Sequence, residues 1–258
     1  MKRTTVLVAA LFGLGALACK PAAAGERIII PARESARPRL VNASVLDGSI
    51  TVKSYSGKDV IVEMEGAPRA GEPAAGGMRR IDALRGLQVT EEDNTINVKL
   101  NPPAFGKVVI SVPADTSLKL KANLGPITVE GVRGEVEVKS LNGAVTLTGI
   151  SGTVVADSLN SAIKVTMDRV DPARPMSFSS LNGSLDVTLP ADTKANLKIH
   201  TDHGEIYSDF EIKMTGSGTA ANREKGSLSP GAMSGTINGG GAEITFRTLN
   251  GKINIRKK

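Results

Sequence analysis

Cut every nine residues from Gly125, the chain yields GPITVEGVR, GEVEVKSLN, GAVTLTGIS, GTVVADSLN and SAIKVTMDR. The third position is always apolar: Ile127, Val136, Val145, Val154 and Ile163. So is the fifth: Val129, Val138, Leu147, Ala156 and Val165. The eighth is apolar in Val132, Leu141, Ile150 and Leu159, and the positions between are mainly polar. Alternation of this kind, interrupted at a fixed interval by turn residues, predicts short half-buried strands. The seventh position alternates between Gly131 or Gly149 and Ser140 or Ser158. The true unit is therefore 18 residues, two strands with two unlike corners.

One corner carries Asn142-Gly143 and Asn160-Ser161. It returns as Asn182-Gly183 and Asn250-Gly251, each within a Ser- or Thr-Leu-Asn-Gly cassette. Asn and Gly tolerate positive φ, which gives the corner its chemistry. Apolar positions three, five and eight do not keep one alternating phase through the turn. A bend that holds both flanking strands toward one interior explains this. The predicted fold is an all-β, single-stranded β-solenoid, parallel β-helix-like, with about 18–22 residues per coil. Asn-Gly is also the strongest short signal for a two-residue hairpin, so an antiparallel β-meander or sandwich is the alternative. In a solenoid, Asn142, Asn160, Asn182 and Asn250 stack as a corner ladder, beside Gly143, Gly183 and Gly251. Their amides are then available to satisfy turn backbone groups, a structural role. Val112-Pro113-Ala114-Asp115-Thr116 is echoed by Leu189-Pro190-Ala191-Asp192-Thr193, as if a larger block were duplicated. Arg256-Lys257-Lys258 read as charge guarding the last edge of the stack.

Residues 1–24 read as a signal peptide: Met1-Lys2-Arg3, then an apolar run from Val6 to Ala18. That run is too short to span a bilayer comfortably. Two exits remain open. Ala22-Ala23-Ala24 suits ordinary cleavage before Gly25. Ala16-Leu17-Ala18-Cys19 resembles a lipobox, which makes Cys19, the only cysteine, a lipidation candidate. No disulfide can form within the chain in either case. Residues 25–37 read as a tether and 38–258 as the β-repeat domain. Residues 66–79 and 219–234, rich in Gly, Ala, Pro or Ser, read as irregular loops.

The formal charge is +6, and without residues 1–24 the balance falls to +3. Cations interleave with acids, as in Glu135-Val136-Glu137-Val138-Lys139, so nucleic acid is not an expected partner. His200 and His203 flank Asp202, and His203 occupies the turn position held elsewhere by Asn142. No phosphate-cradling Gly loop and no calcium loop appears. Glu130, Glu137 and Asp157 alternate outward along strands. An enzyme acting on polysaccharide from such a scaffold needs clustered carboxylates and aromatic platforms, and the chain has no Trp and two Tyr. No cofactor, metal site or catalytic residue is expected.

Several of these elements resemble a family of bacterial envelope proteins known as “putative adhesins”. They are Val112-Pro113 with the strand after it, Gly125-Pro126-Ile127-Thr128-Val129, the strand-Asn-Gly cassettes, and the closing Arg247-Thr248-Leu249-Asn250-Gly251-Lys252-Ile253. The resemblance covers most of the chain from residue 38 onward. It implies an exported, non-catalytic repeat domain in the periplasm or at the outer membrane or cell surface. Adhesion, or contact with a protein or glycan, is the expectation. A self-associating scaffold or sensing protein is one alternative, and a carbohydrate-processing enzyme another. A membrane enters only through a lipid anchor at Cys19.

Overall fold

The computed structural model describes residues 26–32, 38–65, 86–101, 105–215 and 232–258. Among them every regular element is a β-strand. The regular coils run β7 (Ser117–Leu124) with β8 (Ile127–Glu130), then β9 (Val136–Ser140) with β10 (Val145–Gly152). They continue through β11 (Val154–Ser158) with β12 (Ile163–Val170) to β13 (Met176–Ser180) with β14 (Leu185–Leu189). Odd-numbered strands of this series pair in parallel on one face, and even-numbered strands on the other. Ile127 lies beside Val145, Val145 beside Ile163, and Ile163 beside Leu185, so successive coils are 18, 18 and 22 residues apart. This is the solenoid. The hairpin meander does not form, because each Asn-Gly passes the chain from one face to the other instead of folding it back.

Alternate side chains of each strand point between the two faces. Val136, Val138, Val145, Leu147, Ile163 and Val165 are all buried there. Burying each such side chain stabilises the fold by about 1.5–3 kcal/mol.

The stack is not built in chain order. The N-terminal part comprises β1 (Glu26–Ile30), β2 (Leu40–Tyr55), β3 (Val60–Glu65), β4 (Leu87–Glu92), β5 (Thr95–Leu100) and β6 (Gly106–Pro113). The first half of β2 lies on the odd face between β5 and β7, and its second half on the even face between β6 and β8. The step from β6 to β7 thus passes over a coil that β2 fills. The C-terminal part comprises β15 (Ala195–Thr201), β16 (Ile206–Ser208), β17 (Lys213–Met214), β18 (Ala232–Ile237), β19 (Ala242–Thr248) and β20 (Ile253–Lys257). Here β19 lies between β13 and β15, and β20 between β14 and β16. The step from β14 to β15 again passes over a coil.

The two steps are where the echoed five-residue words sit. In each the Thr is buried, and its N–H donates to the Pro carbonyl at 3.1 Å, Thr116 to Pro113 and Thr193 to Pro190. The duplication therefore marks two skipped coils.

Antiparallel strands cover both faces at one end of the stack and the odd face at the other. β4 covers β5, while β3 covers β6 and is covered in turn by β1. At the far end β18 covers β15 and β17 covers β18. Arg39 and Glu91, both largely buried, pair at 2.8 Å beside the β4 cap.

Three expectations are corrected. Residues 26–30, expected in a tether, form β1, because Ile28, Ile29 and Ile30 supply a β-branched run that pairs with β3. Residues 232–234, expected in a loop, open β18. The Arg256-Lys257-Lys258 end does not guard an edge, since β20 is flanked on both sides and the short β16 is the outer even strand. Residues 1–24 with Cys19, and the 66–79 loop, lie outside the described residues.

Candidate contact surface

The two corner types differ because of the seventh residue. At Gly131 and Gly149, φ is +73° and +67°, a conformation that costs glycine nothing. The chain swings so that the next residues, Val132 and Ile150, turn inward and are buried. At the other corner the strand keeps its alternation. Ser140, Ser158 and Ser180 then point inward and are buried, as are Thr201 and Thr248. The leucine that follows must point out. Leu141, Leu159 and Leu181 are 40%, 39% and 41% exposed. Position eight, apolar at both corners, faces inward only after glycine.

The buried hydroxyls satisfy the tight corner. Ser140 Oγ accepts from Gly143 N–H at 3.0 Å and donates to the Gly143 carbonyl at 2.5 Å. Ser158 Oγ accepts from Ser161 N–H, and Ser180 Oγ from Gly183 N–H. Thr248 Oγ1 donates to the Gly183 carbonyl at 3.2 Å. An unpaired buried amide costs about 1–3 kcal/mol, which explains why this position holds Ser or Thr. A Cβ on Gly143 would run into the Gly125 carbonyl of the coil below.

The asparagines stack in the exposed row beside the leucines. Asn160 Nδ2 donates to Asn142 Oδ1 at 2.8 Å, Asn182 to Asn160 at 2.9 Å, and Asn250 to Asn182 at 2.8 Å. Their amides thus bond one another, and the turn backbone is served by the hydroxyls and not, as expected, by the amides. His203 continues the row: its N–H donates to the Leu249 carbonyl, as Asn182 N–H does to Leu159. Leu46 and Leu124, both 47% exposed, lie on coils further along the same corner. From Leu141 to Leu181 the corner thus carries leucines and hydrogen-bonded amides in adjoining rows, while on the preceding coil Asn123 falls in the leucine row and Leu124 in the amide row. Parallel neighbours repeat about every 4.8 Å.

The outer faces are charge-balanced. On the odd face Glu137 meets Lys119 at 3.0 Å and Lys139 at 3.2 Å. The Lys119 hydrogen bond holds the Glu137 carboxyl below the usual carboxylate range, against partial burial and with Lys139 adding to it. Burial pushes the neighbouring Asp157 carboxyl up, against the pull of Lys139. Glu130 lies on the even face, paired with Lys53 at 3.3 Å. The three acids considered for polysaccharide chemistry therefore do not gather: Glu130 is on one face, Glu137 and Asp157 on the other. His200 lies 3.3 Å from Asp202, while His203 sits in the corner row. Among the described residues no group of three His, Cys, Asp or Glu side chains converges as metal ligands would.

A shallow depression of about 390 Å³ lies at the β16 end of the even face, lined by Tyr207, Asp209, Lys252, Asn254, Ile255 and Arg256. Glu205 binds Lys252 at 2.9 Å and accepts from Tyr207 Oη at 2.9 Å. Lys252 and the phenol hold the Glu205 carboxyl low, and Glu205 in return raises both of theirs. Tyr207 is 51% exposed.

Residues 41–256 match the family model described as Toastrack DUF4097. The chain belongs to the Toastrack DUF4097 family. The match begins one residue into β2 and ends within β20, so the Toastrack region takes in both skipped coils and excludes β1. Among solved structures, a “putative cell adhesion protein” from Clostridium sporogenes is 12% identical, with a TM-score of 0.46, covering 91% of this chain and all of that one. A “putative adhesin” from Bacteroides fragilis is 13% identical, with a TM-score of 0.34, covering 92% of this chain and 99% of that one. No match was found among curated proteins.

Proposed function

We propose that this Toastrack protein is a non-catalytic component of the bacterial cell envelope that works by surface contact, with the leucine–asparagine corner as its contact edge for another protein. The exposed row of Leu141, Leu159 and Leu181 carries the reading. Exposed apolar side chains scattered singly need no explanation, whereas a contiguous row beside polar groups marks an interaction site. The signal-like N-terminus supports an exported location, in the periplasm or at the surface, with Cys19 as the anchor if the lipobox is used.

Retention of the purified protein on immobilised envelope fractions tests this. Leu141→Ser, Leu159→Ser and Leu181→Ser combined leave the core and the buried hydroxyls in place. They are expected to lower retention at least tenfold at an unchanged Tm. Equal retention would remove the corner as the contact edge. Turnover of any glycan, lost on replacing Glu137 or Asp157, would overturn the non-catalytic assignment.

Contact with a glycan through the Tyr207 depression is a second reading. It is favoured by one exposed ring fringed by Asp209, Asn254 and Arg256. Tyr207→Ala would abolish retention on glycan-bearing fractions alone.

A further inference from the structure

The ion pairs of the odd face thin out toward its β4 end. Elsewhere opposite charges on neighbouring strands meet, as in Lys53 with Glu130, Lys119 with Glu137, Lys198 with Glu243 and Arg256 with Asp186. Strands β5, β2, β7 and β9 lie side by side on the odd face. Between the corners their outward residues include Lys99, Lys119, Lys121 and Lys139 against one carboxylate, Glu137. Lys119 and Lys139 share that carboxylate. Among the described residues Lys99 and Lys121 have no ion-pair partner.

The unpaired charge is ordered. Lys99 lies beside Ser44, Ser44 beside Lys121, and Lys121 beside Lys139. Parallel neighbours are about 4.8 Å apart, so the three lysine stems span roughly 14 Å along the stack. Like charges directly opposite each other destabilise a sheet. All three side chains are exposed, so core packing does not require them. An anion laid along the row removes the repulsion. The row ends at Asp157 on β11, the neighbour of Lys139.

A second feature sits at the same end. A depression of about 190 Å³ is lined by Gln88, Thr90, Asn97 and Lys99. Asn42 Nδ2 donates to Asn97 Oδ1 at 3.0 Å, so the Asn97 carbonyl is engaged and its amide N–H groups remain as donors. Lys99 thus joins a line of cations to a cluster of amides and a hydroxyl. Amides and hydroxyls match the hydroxyls of a sugar, and the lysines match acid groups carried on it. No aromatic ring lines the depression, so a nucleobase has nothing to stack on. A protein partner would need an apolar centre, which this lining lacks.

We propose that the β4 end of the odd face binds a linear anionic glycan. Its carboxylate or phosphate groups meet Lys99, Lys121 and Lys139, and its hydroxyls meet Gln88, Thr90 and Asn97. The polymer runs across the strands, along the axis of the stack. The site is separate from both the leucine edge and the Tyr207 depression, and does not rest on either.

Calorimetric titration of the full-length protein tests this with four probes: an oligogalacturonate, a polyol-phosphate polymer, neutral dextran and single-stranded DNA. Binding of the first or second is expected, and which one binds identifies the acid group. Lys99→Gln, Lys121→Gln and Lys139→Gln combined should weaken it about tenfold or more at an unchanged Tm. Lys53→Gln, Lys107→Gln and Lys164→Gln remove the same charge from the even face and should leave it unchanged. Asn97→Ala should weaken it about fivefold, the loss of one hydrogen bond. Binding of neither anionic polymer would overturn the proposal. So would equal weakening by the even-face variant, which reports net charge alone, or equal affinity for the DNA.

Discussion

Between Ser117 and Leu189 each new coil is laid beside the coil just made, and partners such as Val145 and Ile163 are 18 residues apart. Past Leu189 the neighbour in space is far away in the chain, and Ile253 pairs with Leu185. The two regions share cassettes, core residues and corner chemistry. They differ in the cost of assembly. A consecutive coil closes a short loop against a wall already present. The inserted coil must close a loop several times longer, and loop-closure entropy grows with length, though slowly. The packing formed is the same in kind, so the difference should appear in kinetics and in tolerance to deletion more than in the strength of any one contact.

The largest expected effect comes from removing residues 232–258. Ile237, Ile244, Phe246, Ile253 and Ile255 leave the core together. At about 1.5–3 kcal/mol each, their loss is comparable to the whole stability of a typical domain, about 5–15 kcal/mol. The shortened chain should lose its cooperative melt by circular dichroism. A retained sharp transition would show that the consecutive coils stand alone, which would sharpen the contrast between the regions in the other direction.

Core truncations come next. Phe246→Ala is expected to cost about 3–5 kcal/mol and Leu147→Ala about 2–5 kcal/mol. Stopped-flow kinetics should separate them. Loop length predicts that the consecutive coils form first, so Leu147→Ala should slow folding and Phe246→Ala should mainly speed unfolding. If both act on the same limb of the chevron, the consecutive and inserted coils form together.

The asparagine row gives a smaller test within one corner. Asn182→Ala removes two amide bonds, one to Asn160 and one from Asn250, and should cost about 1 kcal/mol. Asn250→Ala removes a single bond and should cost about half that. Denaturant midpoints at constant slope measure both. An Asn250 effect as large as that of Asn182 would mean the row is held more tightly across the inserted coil than along the consecutive ones.

The smallest effects are electrostatic and belong to the consecutive coils. Glu137 has a lowered carboxyl pKa, so its stabilisation is present above the unfolded value and is lost as pH falls through the lowered folded one. Exposure limits it to a few tenths of a kcal/mol. Asp157 has a raised pKa, so ionising it costs stability as pH climbs from the ordinary carboxylate range through the raised value. At neutral pH Glu137→Gln should lower the melting temperature slightly and Asp157→Asn should raise it. Both differences should vanish below the carboxylate range.

Much of the architecture was legible in the residues. Alternation at positions three and five placed Val136, Val138, Val145 and Leu147 in the core, and the doubled nine-residue beat gave the coil length. The outward leucines were not, since an apolar eighth residue looks the same at both corners. The usable signal was its neighbour: Ser140 keeps the strand in phase and sends Leu141 out, while Gly149 breaks the phase and turns Ile150 in. The order of coils was not legible either. Thr248-Leu249-Asn250-Gly251 reads like any consecutive cassette, because a parallel strand's pattern records which face it buries and not which strand lies beside it. The Pro-Ala-Asp-Thr words were visible as a duplication, and the skipped coils gave them meaning. β1 had a signal in Ile28-Ile29-Ile30, lost beside the proline- and arginine-rich residues that follow.

The coil order also fixes a timetable. A chain delivered amino end first, from a ribosome or through a membrane pore, presents β2 before any of its four partners exists. It presents β19 and β20 after all of theirs. The first inserted strand has to wait, and the last one arrives as a latch. A product that stops short of Gly235 leaves two open parallel walls in its interior, where proteases and holding chaperones can find them. The gap between β13–β14 and β15–β16 is closed only when β19 and β20 have been made.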